Sequence, residues 1–576
     1  MEYEYVCEKK EISKVLNTLD KSEILFLDTE TTSDRIRLLQ IGNEKKVFVI
    51  DLFEIPDFLI PLKDLISRKG IVGHNLKFDL KFLLPHNVIP YAVFDTMIAS
   101  YLLGYERHSL SHLAESILGY TLDKSLQLSD WSRTILSKQQ IEYAATDVMV
   151  VKELFFKLRD KLNSLPSIGR GEELFKTRTA KVFKLNNPAV IIEMAFVQEV
   201  AKLELSGIPV DKEEVEKLLH EYESKLQKLI MDFYIHHRVD PLSPKQIGSF
   251  LKSRIGLDLP ETRKGNLSTD DKTLAKFSHI EEVRDILNIR KAKKVLDKLR
   301  ELGSYIKNNK VYPEFRQIGA VTGRMSSSNP NVQNIPRDMR RLFKAQEGDT
   351  FVIADFSQIE LRIAAEYVGD ENMAKAFREG KDLHRYTASL ILEKSEEEVT
   401  SEERQLAKAM NFGLIYGISA RGLSEYAQSS YGVNLEIEAA DVFRKKFFRF
   451  FPAFKEWHDS VKRELKEKGE VKGTTLMGRP YRASTFTDAV NYPVQGTGAD
   501  LLKLAVLMFD VETRKKNLKA RVINLIHDEI LVECSESQKE EVEEILRTAM
   551  QQAGRIVLKH IPVEVESTLA KRWIKG

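Results

Sequence analysis

Two stretches of the sequence set carboxylates where apolar strands should end. In FVIADFSQIELRIAAE, residues 351–366, an apolar run stops on Asp355, and Glu360 follows five residues later. In VINLIHDEILVEC, residues 522–534, two apolar runs flank His527, Asp528 and Glu529 with no Gly or Pro for an ordinary hairpin. A single acid after a strand is most often a turn or helix-cap residue. Adjacent acids at a strand junction are costly to bury unpaired, and a divalent metal is the usual remedy.

A second set lies near the N-terminus. FLDTETT ends a strand with Asp28 and Glu30, and positions two apart in a strand project from one face. Helical spacing in VGHNLKFDLKFLL puts Asn75 and Asp79 on a common face, and IEYAATDVMVV does the same for Tyr143 and Asp147. Four like charges gathered in one place repel strongly unless two divalent cations ~4 Å apart neutralise them, as in enzymes that cleave phosphodiesters by in-line displacement. One metal would activate the attacking water and the other would stabilise the leaving oxygen, with Tyr143 placed to orient the water. Each acid alone is more simply a cap or surface residue, and it is the joint pattern that carries this reading.

A third pattern runs through ERQLAKAMNFGLIYGIS, where Arg404, Lys408, Phe412 and Tyr416 recur every four residues, each ~40° further round a helix. Two cations followed by two aromatics on one face suit a polyphosphate at one end and a flat base at the other. An amphipathic helix with core aromatics would show the same spacing.

The elements that must position these residues follow from the rest of the chain. Short strands such as ILFLD and VFVIDL alternate with helical stretches up to about residue 165, which predicts an α/β domain. Residues 166–188 lose periodicity and collect Pro, Gly and charge, which reads as a linker. Helical periodicity then dominates from residue 189 to about 310, predicting a mostly helical arm. Its end, residues 284–310, holds nine basic residues against three acids, equally suited to a phosphate backbone or a solvated helix face.

The chain of 576 residues allows about four domains. With 88 basic and 86 acidic residues, a polyanion must be held by local patches and metals. Cys7 and Cys534 fit no metal or redox spacing, so a reducing compartment is the default. With no leader-like N-terminus and no membrane-length apolar run, a cytoplasmic protein is expected.

The Asp28, Glu30, Asp79, Asp147 and Tyr143 segments resemble the 3′-5′ exonuclease family named for its Asp-Glu-Asp-Asp-Tyr set. The strings around Asp355, the Arg404–Tyr416 stripe and Asp528 resemble motifs A, B and C of the family A DNA polymerases. The resemblance runs from about Asp28 to the C-terminus. It implies an RNase H-like 3′-5′ exonuclease domain (residues 1–165), then a right-hand polymerase (residues 189–576). The thumb would span about 189–310, an antiparallel palm about 311–375 and 480–576, and helical fingers about 376–479. It implies addition of dNMP from dNTP to a primer 3′-OH on a DNA template, with proofreading at a separate site, in replication or repair. Each site would use two Mg²⁺, for which Mn²⁺ may substitute.

By the same resemblance Asp355 and Asp528 bind metal, Glu529 is auxiliary, and Glu360 is a barrier to a ribose 2′-OH, with Gln358 beside it. Arg404, Lys408 and His384 contact the triphosphate, Phe412 packs beside the sugar, and Tyr416 sits near the template base. Arg324, Asn331, Gln333, Asn334, Asn491, Gln495 and His527 lie where the family grips duplex DNA, and Asp95 is supporting rather than metal-binding. The partners implied are primer-template duplex, dNTPs and a single-stranded DNA 3′ end at the exonuclease site, with no membrane and a monomeric chain. Thr487 stands where relatives often have an Arg that contacts the template, a departure from the family's pattern. Arg340 and Arg341 match the family only loosely. No 5′ nuclease segment precedes the exonuclease segment, so flap cleavage is expected of another protein. A 3′ exoribonuclease with a helical accessory domain would not need the C-terminal motifs, an inert scaffold would lack the acids, and Glu360 disfavours an RNA polymerase.

Overall fold

The computed structural model describes residues 2–127, 129–166, 169–262 and 264–574. Its N-terminal unit is built on a six-stranded mixed sheet. Strand Ile24–Thr31, which carries Asp28 and Glu30, pairs antiparallel with Ile36–Gly42 and parallel with Gly70–Gly73. Ile36–Gly42 is buried along its whole length, as expected of a strand covered on both faces. Helix Lys138–Asn163 packs across this sheet and begins with a reciprocal cap between Ser137 and Gln140, which satisfies two of its orphan N–H groups. The α/β expectation for this unit therefore holds.

Two expectations about the middle of the chain are corrected. Within the segment read as a linker, Ser167 and Ile168 lie outside the described residues, but Glu172–Lys176 and Arg178–Phe183 are helical. Phe183 is fully buried against Phe94 and Phe155, with ring centroids 5.6 and 6.0 Å away, so the connection is packed onto the first domain. Helix Pro188–Ser206 is not part of the arm either. It is apolar nearly all round and buried between the first unit and the C-terminal sheet, as a helix of that composition must be.

The arm begins instead at helix Lys212–His237, which packs on Glu281–Ser304. It has its own core, including Phe233, Phe250, Ile286 and Leu296. Of the basic run in residues 284–310, Arg290, Lys294, Lys293, Lys298 and Arg300 are paired to Asp271, Asp271, Asp297, Glu301 and Glu223.

The C-terminal sheet is antiparallel throughout, in the order Ala520–Ile526, Glu529–Ser535, Asp349–Phe356, Val565–Ala570. Helices Phe486–Lys515 and Lys539–Val557 pack together and cover one face. Five consecutive helices between Leu383 and Lys468 form a separate helical lobe. No helix among the described residues is long and apolar enough to cross a membrane.

Candidate active sites

The first cluster forms at the end of strand Ile24–Thr31. One carboxylate oxygen from each of Asp28, Glu30 and Asp147 lies within 4.8 Å of the others. Strand alternation brings Asp28 and Glu30 to one face, and helix Lys138–Asn163 delivers Asp147 with Tyr143 one turn earlier. Asp79 is outside that triplet. Its Oδ1 accepts from the Thr29 hydroxyl at 2.6 Å, and its charge still bears on Asp28. Burial, then mutual repulsion, pushes the Glu30 carboxyl up to about 8. Burial is also the chief cause that raises Asp79 to about 7 and Asp147 to about 6, and it raises Asp28 well above the usual range. Half-buried oxygen donors that resist ionising together are the donor set a hard divalent cation satisfies.

Asn75 is not on a helix with Asp79. It adopts a left-handed backbone (φ 57°), and the helix begins at Lys77. The peptide N–H groups of Asn75 and Leu76 instead donate to Asp95 at 3.0 and 2.7 Å, and Asp95 also caps helix Thr96–Leu102. Asp95 thus shapes the loop that presents Asp79. A cleft of ≈ 540 Å³ opens onto the acids, lined by Phe78, Tyr101, His108 and Lys124 among others. Thr29 and Lys124 escaped the sequence reading. Thr29 sits inside the quoted string, whereas Lys124 is far from it in sequence.

The second cluster forms where three antiparallel strands meet. Asp355 ends Asp349–Phe356 and stands opposite Glu529 in the register. Asp528 shares a side-chain hydrogen bond with Asp355, and burial followed by that neighbour's charge raises Asp528 to about 7. The junction is a two-residue hairpin after all, because Ile526 pairs with Glu529 and His527 takes the left-handed backbone (φ 54°) that glycine would ordinarily supply. The Phe356 N–H donates to the Asp528 carbonyl at 3.2 Å, which locks the turn beside Asp355. Glu529 is turned away into protein, where it accepts from the Trp573 indole at 2.8 Å and from Arg340 at 3.4 Å. Arg340 in turn lies over the Trp573 ring at 4.5 Å. No spacing rule connects Trp573 to this site.

Helix Ser401–Ile415 is tied to Glu360 through Tyr416, and Arg404, Lys408, Phe412 and Tyr416 are all half-buried along one side, Tyr416 just past the helix end. Arg404 pairs with Asp382 at 2.7 Å, and the same Asp382 caps the helix that carries His384. Burial pushes His384 down to about 4, so it is neutral near pH 7. Its Nδ1 lies 3.0 Å from the Asn411 side-chain amide. Lys408 Nζ lies 5.8 Å from the Tyr431 ring centre. Glu360 accepts from Arg324 at 2.5 Å and from the Tyr416 hydroxyl at 2.8 Å. Gln358 is left-handed (φ 52°), with its Oε1 buried.

Gln333 donates to the Leu525 carbonyl at 3.0 Å, Asn331 lies near Ser327, and Asn334 is exposed. Asn491 and Gln495 share one side of helix Phe486–Lys515, 3.4 Å apart, and Thr487 is exposed at its start.

Comparison with known proteins bears on both clusters. Residues 212–575 match the model of DNA polymerase family A, and residues 3–163 match a 3′-5′ exonuclease family. The chain is 62% identical to DNA polymerase I of Aquifex aeolicus over 575 residues, covering 100% of both. It is 30% identical to the DNA polymerase I proteins of Pseudomonas aeruginosa and Borreliella burgdorferi, aligning along 100% of itself and spanning 66% and 64% of those longer chains. The solved POL domain of Pol1 from M. smegmatis, in complex with DNA primer-template and dNTP, superposes with a TM-score of 0.81 at 24% identity, covering 99% of each chain. The N-terminal α/β unit is thus an exonuclease domain and the C-terminal unit a right-hand polymerase, and the chain belongs to DNA polymerase family A, whose template-directed DNA synthesis it joins to 3′-5′ exonucleolytic proofreading.

Proposed function

We propose that the two acid clusters divide the work, with Asp355 and Asp528 serving strand extension and Asp28, Glu30, Asp79 and Asp147 serving trimming of a single-stranded DNA 3′ end. The observation that carries this reading is that each cluster gathers carboxyls in which burial and a neighbouring acid raise Glu30 and Asp528, a conflict that a divalent cation relieves. Mg²⁺, two ions per site, is the cation we assign, and when bound it supplies Lewis-acid activation of the attacking oxygen and neutralises the leaving one.

The chain's own residues do the rest. Arg404 and Lys408 offer charge to the triphosphate, and neutral His384 donates a ring N–H. Phe412 packs beside the sugar, Glu360 stands where a 2′-hydroxyl would intrude, and Tyr416 lies near the templating base. Glu529, held by Trp573 and Arg340, stiffens the strand rather than binding metal. Arg324, Asn331, Gln333, Asn334, Asn491, Gln495 and His527 offer polar groups to the minor-groove edge, whose acceptors are common to all base pairs, so they would sense pairing geometry without reading sequence. Tyr143 orients the water at the trimming site.

A primer-template duplex and dNTPs are the partners this assigns, to a monomeric cytoplasmic enzyme. Extension of a matched and a 3′-mismatched primer with dNTPs and Mg²⁺ tests both sites at once. Trimming of the mismatch followed by extension is expected, and failure of either activity with the intact chain would refute the corresponding half.

A further inference from the structure

A groove of ≈ 880 Å³ opens beside the trimming site, on the other side of helix Lys77–Leu83. The same helix separates and joins the two openings. Phe78, 41% exposed, lines the acid cleft, Phe82 lines the groove, and their rings pack 5.3 Å apart. The far wall comes from the turn that follows the Glu30 strand, where exposed Arg35 lies over the Phe53 ring at 4.8 Å. Ile60, 72% exposed, Lys63 and His86 complete the rim.

Charge in the groove leans positive. Of its two acids, Asp57 pairs with Lys9 at 2.6 Å, both side chains more than half exposed. Asp34 is 4.0 Å from Arg35 with both side chains exposed, a pairing worth little in water. Lys81 is committed to Glu204, so the available cations are Arg35 and Lys63. Stacking surfaces interleaved with cations, one helix away from an acid cleft, are what a flexible single strand uses, because every base has a face to stack and every linkage a charge.

We propose that this groove binds the single-stranded DNA upstream of the nucleotide being trimmed, the strand passing from the acids over Phe78 and Phe82 to Arg35 and Phe53. The proposal rests on the reading of the Asp28 cluster as the trimming site, and it adds a subsite that sets how long a frayed strand must be for tight binding.

The test compares 4- and 10-nucleotide single strands with the full chain, using Arg35→Ala combined with Phe53→Ala, and separately the exposed pair Ile60→Asp and Lys63→Glu, which cannot unfold the domain by emptying its core. Losing stacking and charge should raise KM for the 10-mer about fivefold or more while kcat, 4-mer trimming and primer extension stay unchanged. An unchanged 10-mer KM in both variants, or an equal rise for both lengths, overturns the subsite. Anisotropy of the labelled 10-mer in EDTA reads the groove without any cleavage. Normal length-dependent binding with no trimming in Mg²⁺ would sink the acid assignment and leave the groove standing, whereas normal trimming with length-independent binding would do the reverse.

Discussion

The hydroxyl of Tyr416 donates to Glu360 Oε2 at 2.8 Å, joining the end of helix Ser401–Ile415 to helix Ile359–Val368. Arg324 reaches the other oxygen of the same carboxylate at 2.5 Å. One acid therefore couples helix Ser401–Ile415 to the loop that carries Arg324. Glu360→Ala is expected to raise the kcat/KM for rNTPs relative to dNTPs by about 10- to 100-fold, since it removes a side chain that excludes a hydroxyl. Single-turnover incorporation of paired rNTP and dNTP substrates measures this. An unchanged ratio would remove Glu360 from sugar selection.

The two acid clusters should fail independently. Asp528→Asn, which keeps the hydrogen bond to Asp355 possible, is expected to cut extension by at least on the order of a hundredfold while leaving trimming of a single strand intact. Asp28→Ala should do the opposite. Gel assays of primer extension and of strand shortening distinguish these outcomes, and loss of both activities from either change would mean that the sites are not separate.

The raised carboxyls predict how stability of the metal-free protein depends on pH. Glu30 near 8, Asp79 and Asp528 near 7 and Asp147 near 6 hold protons in the folded state that the unfolded chain releases near its ordinary values of 3.8 to 4.5. The folded state then binds more protons across this range, so stability falls as pH rises from about 4 to 8. Mg²⁺ should offset the loss most at the alkaline end, because its ligands must be deprotonated. Calorimetry in EDTA and in Mg²⁺ should show a Tm gap that widens from pH 5.5 to 8, and a gap that narrows would contradict the clusters as cation sites.

A buried ion network explains how Arg324 is held. Lys503 Nζ contacts Glu193 at 2.6 Å and donates to the Gly323 carbonyl at 2.9 Å, one residue before Arg324. Arg479 bridges Glu193 and Asp500 in the same buried cluster. Lys503→Met would leave Glu193 short of a partner, and breaking a buried pair in this way costs about 3–5 kcal/mol. Denaturant melts should show that loss.

Gly323 lies in the same contact. Its φ is +81°, and a Cβ there would fall 2.5 Å from the Arg479 guanidinium carbon. Gly323→Ala is therefore expected to destabilise the protein and to weaken primer-template binding by displacing Arg324. A melt combined with a duplex titration would show both effects, and unchanged duplex affinity would confine the network to stability.

The site was more legible in the sequence than its supports were. Asp28 and Glu30 could be placed on one face because strand alternation is local, and Arg404 to Tyr416 because helical periodicity is local. Asn75 was misplaced by the same rule, since helix spacing was extended two residues past the true start at Lys77, into a loop held by Asp95. The hairpin at His527 was missed because a left-handed histidine is set by its neighbours and not by its own propensity.

What the sequence by itself determined is the chemistry: which acids, cations and aromatics exist, at spacings short enough for one strand or helix to align them. Only the tertiary structure decided that helix Pro188–Ser206 is a buried keel, that Trp573 and Arg340 claim Glu529, and that Thr29 holds Asp79. Each depends on packing between segments far apart in the chain, where the free energy of burial and pairing is shared among partners that no local pattern names.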